Sequence, residues 1–188
     1  MSHTDVFRRL LDREVQSMMA NSQLADYYCF LGLQGFKRMH EQLYKCASDG
    51  YRKLSRYYVG EFYTLPDEGQ TKSVSVIPSA WQGMKRTGIR WDAKKKAVRE
   101  CIELWSQWEA DTHALMCDAA KSLRDEGHVA AALKVEKMLC MQDKETMRAY
   151  SLRCKLESTD YDMEHVMEID HRLHCKWKEV KGHGLSGR

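Results

Sequence analysis

TLPDEGQTKSVSVIPSAWQGMKRTGIRW, residues 64–91, is the stretch in which the helical spacing of apolar residues lapses. It contains both prolines of the chain, Pro66 and Pro78, several glycines and the alternation Val74-Ser75-Val76. Proline lacks a backbone donor and clashes with the preceding helical turn, so proline-free flanks around one such gap suit a helical protein with a single irregular connection. A connection this long normally counts against the assignment of its neighbours. The exception is a bundle whose middle connection runs its full length, so that the second and third helices point the same way. The expected fold is therefore all-α: an up-down-down-up four-helix bundle with a long crossover at 64–91 and a short fifth helix, read as one domain over 1–188.

Upstream, Phe7, Leu10, Leu11, Ser17, Met18, Leu24, Ala25 and Tyr28 mark one face of a helix, α1, over 5–31. Gly32 and Gly35 break it, and Phe36, Met39, Leu43, Ala47, Gly50, Leu54 and Tyr57 begin a second stripe, α2, over 36–63, antiparallel to the first because the link is short. Downstream, α3 is expected over 92–126, with Asp92 as N-cap and Val98, Cys101, Ile102, Trp105, Thr112, Met116 and Leu123 inside, ended by Gly127. The spacing then predicts α4 over 128–157 and, after Ser158-Thr159-Asp160, an amphipathic α5 over 162–178.

Hydrophobic residues at 43% and charged residues at 30% exclude a disordered chain. A formal charge of +3 is too small to imply nucleic-acid or membrane binding by itself. No signal-peptide core and no long apolar run occur, so the expected location is the cytoplasm, with no membrane partner. Seven cysteines, an odd number without a C-x-x-C pair, give neither a disulfide framework nor a zinc module, and read as buried or surface thiols. No Gly-rich phosphate loop or nucleophile elbow suggests another enzyme class.

The informative residues are polar ones on apolar faces. Glu14 lies between Leu10, Leu11 and Met18; Glu109 lies one turn after Trp105 and one before Thr112; on α4, Gln142 and, partly, Glu145 do the same. A buried charge is costly unless compensated. Each could be an ordinary core polar residue paired with a cation or hydroxyl. Carboxylates converging from several helices are also how bundles hold hard metal ions through oxygen.

At these residues the chain resembles the ferritins, over nearly its whole length. Leu11-Asp12-Arg13-Glu14 resembles the first-helix segment with a ligand Glu, and Gly32-Leu33-Gln34-Gly35-Phe36 resembles the bacterial-ferritin turn into the second helix. Trp91 resembles the tryptophan before the third helix, Asp125-Glu126-Gly127 the turn into the fourth, and Ile169-Asp170-His171-Arg172-Leu173 the short fifth helix. The resemblance implies metal-ligand positions at Glu14, Glu109 and Gln142, with Glu145 one turn beyond. It also implies a departure: where ferritins carry a bridging Glu and, three residues on, a His, this chain has Ala47 and Gly50, and Asn21 replaces the family's tyrosine. Cys46 and Asp49 neighbour the lost ligands but lie off the inward stripe.

The implied function is a ferritin-family cage subunit, homo-oligomeric with up to 24 chains as in the family's cages, handling iron with an incomplete ferroxidase centre. Iron would bind weakly or at a single site, with Glu14, Glu109, Gln142 and Glu145 as donors and no catalytic residue, and the subunit could co-assemble with an active one. Basic residues on the polar sides of α2 (Lys37, Arg38, Lys45, Arg52, Lys53, Arg56) and α4 (Lys134, Lys137, Lys144, Arg148, Arg153, Lys155) would repel iron and attract polyanions. The family's channel carboxylates fall on Ala132 and Val135. The alternative is an iron-independent cage or chaperone that binds RNA or another polyanion, similar to artemin. The cluster KRTGIRWDAKKK, 85–96, reads as a solvated loop and helix start or, through Trp91, as a stacking surface. His165, His171 and His174 read as an exposed or pore-lining group on α5.

Overall fold

The computed structural model describes residues 2–66, 72–77, 85 and 89–179. Its helices are α1 His3–Leu31, α2 Gln34–Phe62, α3 Trp91–Asp125, α4 Val129–Glu157 and α5 Met163–Glu179. They form an all-α, ferritin-like bundle of the expected topology.

The boundaries follow from caps. Ser2 Oγ accepts from the Asp5 N–H at 3.2 Å, so α1 starts earlier than its apolar stripe. Gly32, at φ 81°, ends α1 in a left-handed turn that L side chains adopt only with strain. Gly127, at φ 82°, ends α3 in the same way, its N–H bonded to Arg124 O and that of His128 to Leu123 O. Asp92 is not the N-cap of α3: Arg90 is, without a side-chain bond, and Asp92 sits inside the first turn, where a carboxylate complements the helix dipole.

The start of α2 is built by α5. The carboxylate of Asp170, itself buried, accepts from the Gly35 N–H at 2.7 Å and the Phe36 N–H at 2.9 Å. This satisfies two of the donors a helix start leaves open and draws α2 back to Gln34. A Cβ on residue 35 would lie 1.8 Å from Asp170 O, so only glycine permits this approach.

The crossover is held where it is described. Gln23 donates from Nε2 to Val74 O at 2.6 Å and accepts the Val76 N–H at 2.9 Å, while Val76 and Ile77 lie on the core. Pro78 and the Arg86–Gly88 part of the basic cluster lie outside the described residues. Trp91 is 61% exposed, with Lys94 Nζ 5.3 Å from its ring centroid.

Two apolar clusters fill the bundle. One, around Tyr28, Phe36, Met39, Ile102, Trp105 and Leu156, joins all five helices. The other, around Phe7, Leu10, Leu54, Tyr58, Leu123 and Val135, closes the opposite end. Between them Glu14, Ser17 and Asn21 of α1, Ala47 and Gly50 of α2, Glu109 and Thr112 of α3 and Gln142 of α4 line a middle layer of the interior, beside the apolar Leu43, Met116, Met138 and Met141.

Candidate metal centre

Glu14, Asn21, Ala47, Gly50, Glu109, Thr112, Gln142 and Glu145 line one cavity of about 190 Å³ in that layer. The four expected ligand positions are thus neighbours in space. Each reaches the layer because it occupies an inward register of its helix while the turns above and below are apolar.

Glu109 is the most tightly held. Trp105 Nε1 donates to Oε1 at 2.9 Å and Gln142 Nε2 to Oε2 at 2.6 Å, so both oxygens are engaged, one from its own helix and one from α4. Burial nevertheless raises its pKa, opposed by those bonds. Glu14 lies over α2: its Oε1 is 2.7 Å from the place a Cβ on Gly50 would take, so the carboxyl fills the space an absent side chain leaves. Burial first, and the Glu109 charge second, push it up to about 8, so Glu14 is protonated at neutral pH. Glu145 is ion-paired to Arg148 at 2.6 Å.

Around this layer α1 is latched to α3. Arg13 Nε donates to Thr112 Oγ1 at 2.7 Å, its guanidinium carbon lies 3.5 Å from the Trp108 ring centroid, and Trp108 Nε1 donates to Ser17 Oγ at 3.1 Å.

Structures similar to this chain share its whole architecture. The open-pore ferritin of the hyperthermophilic archaeon Archaeoglobus fulgidus superposes with a TM-score of 0.75 at 16% identity, covering 92% of this chain and 95% of that one. A closed form of the Archaeoglobus fulgidus ferritin, engineered by site-directed mutagenesis, gives 0.69 at 17% identity, covering 93% and 96%. A humanized archaeal ferritin gives 0.69 at 16%, covering 93% and 97%. The fold is that of a ferritin subunit. No family model and no curated protein matches the sequence.

Within this ferritin fold, Ala47 and Gly50 line the cavity at the two α2 positions where the resemblance implies a Glu and a His. Cys46 and Asp49, placed off the inward stripe by sequence, do reach the cavity, at its mouth; Asp49 is 65% exposed and pairs with Arg52 at 3.8 Å. Among the described residues no group of three or more His, Cys, Asp or Glu side chains is arranged to hold a metal ion. The donors present do not fit a two-metal centre, because at the inner α2 positions stand Ala47 and Gly50, and the Asp49 carboxylate at the mouth is exposed and paired with Arg52. Ala132 and Val135 are fully buried in the second cluster.

Sequence reasoning missed His40. It is fully buried, with Nδ1 2.8 Å from Asn21 Oδ1, its ring stacked on Tyr28, and Nε2 without a hydrogen-bond partner. Burial pushes it down to about 3, so the ring is neutral. Its place one turn before Leu43 on an apolar stripe was the available signal.

Proposed function

We propose that this chain is a ferritin-family cage subunit whose central site binds a single divalent cation weakly and does not oxidise Fe(II) rapidly. The observation that carries this reading is the α2 wall of the cavity, where Ala47 and Gly50 offer no donor and the carboxyl of Glu14 occupies the space over Gly50. Paired oxidation needs two metal ions held together by shared ligands. With Glu109 bonded to Trp105 and Gln142, and Glu145 paired with Arg148, what remains suits one cation, bound between Glu14 and Glu109 with Gln142 and Glu145 at its edge. Binding would release the Glu14 proton.

As a cage component the chain would self-assemble, and it would co-assemble with an active subunit that supplies oxidation. Free cysteines suit the reducing cytoplasm as its location. No helix among the described residues is long and apolar enough to cross a membrane. The exposed Lys137, Lys144 and Lys155 on α4 favour a second reading, a cage that carries a polyanion instead of iron.

The test is aerobic addition of Fe(II) to the purified protein, followed by gel filtration with iron, protein and nucleic acid quantified across the peaks. A large assembly with little iron is expected, and nucleic acid in that peak would favour the second reading. Substantial iron mineral in the assembly of this chain alone would overturn the incomplete-site reading.

A further inference from the structure

α5 packs on α2 rather than on α4, and the space left between α4 and α5 is a groove of about 530 Å³. That volume is in the range of small-molecule sites, roughly 300–1,000 Å³. The floor is aliphatic: Met39, Leu152 and Ile169 are buried there, joined by the half-buried Leu173. Above it stand four cations, Arg148 and Lys155 from α4 and Arg172 and Lys176 from α5, and among the described residues no Asp or Glu lines the groove. Glu145 and Glu168 contact Arg148 and Arg172 from outside it. The side chains that line the groove are thus aliphatic below and cationic above, which suits an anionic headgroup.

We propose that this groove binds a single-chain anionic amphiphile, with its alkyl chain along the Leu152–Ile169 floor and its phosphate or carboxylate headgroup among Arg148, Lys155, Arg172 and Lys176. A nucleotide fits worse, because among the described residues His165 is the only ring lining the groove and it offers no broad face for a base. From His165 to Lys176 the groove runs along eleven residues of helix rise, roughly 16 Å, the length of a medium alkyl chain. The groove is separate from the central cavity and works whether or not that cavity takes a metal.

The experiment is calorimetric titration of the assembled protein with dodecyl phosphate below its micelle concentration, beside inorganic phosphate and the uncharged dodecyl maltoside. Saturable binding of dodecyl phosphate at about one per chain is expected, with both controls at least tenfold weaker. Lys155→Glu and Ser151→Trp, at exposed positions where the fold should tolerate change, should each weaken it at least tenfold while leaving helix content and elution volume unchanged. Three results would overturn the proposal: no saturable binding to the assembly, as when a neighbouring chain covers the groove; affinity unchanged in both variants; or equal binding of either control.

Discussion

At neutral pH Glu14 keeps its proton because its carboxyl has lost water and faces the charge of Glu109. Unfolded, it titrates near 4.5; folded, near 8. Below the lower value both states are protonated and the group is neutral to stability. Between the two the unfolded chain releases its proton while the folded chain holds it, so stability falls as pH rises through this window. Glu14→Gln keeps the shape without the titration. In metal-free buffer it should melt with the wild type at about pH 4 and, at about pH 8.5, roughly 5 °C or more above it; a difference independent of pH would contradict the assignment. The carboxyl was legible in sequence, since an acidic residue between Leu10, Leu11 and Met18 has to face inward. Its proton was not, because that depends on what α2 and α3 bring within reach. His40 shows in sequence only its place on the apolar stripe; its burial depends on Tyr28, Asn21 and Trp105 closing around it.

At the scale of elements, the contact of α2 with α5 depends on one missing Cβ. Gly35→Ala would press a methyl group into the backbone of Asp170 and His174, atoms that cannot swing away as a side chain can. Overpacking and the loss of the Asp170 cap together should cost about 3 kcal/mol. Amide exchange should quicken in α5 and the first turn of α2 before it does elsewhere. Asp170→Ala, which removes only the cap, should cost about 1 kcal/mol. Equal stability of Gly35→Ala and wild type in urea unfolding would refute the close-contact account. The five helices were legible because their apolar stripes are long, with glycine ending α1 at Gly32 and α3 at Gly127. The start of α2 lies earlier than its stripe because its cap, Asp170, is 135 residues away, and no local pattern reports that.

Over the whole molecule, the bundle holds two apolar clusters with a polar layer between them, and the candidate site is that layer. The long crossover made the topology readable, since only a connection that spans the bundle explains a gap of that length between two antiparallel pairs. The departure from the ferritin pattern was readable too, as Ala47 and Gly50; that Glu14 would settle over Gly50 was not. Restoring the wall is therefore the most direct test of the account. In Ala47→Glu/Gly50→His the new side chain at 50 displaces only the far end of Glu14, a flexible carboxyl, so the fold should accept it. Stopped-flow oxidation of Fe(II) under air should be slow in the wild type and at least tenfold faster in the double variant. Rapid oxidation by the unmodified chain, at a rate the double variant does not exceed, would contradict the claim that α2 has disabled the site.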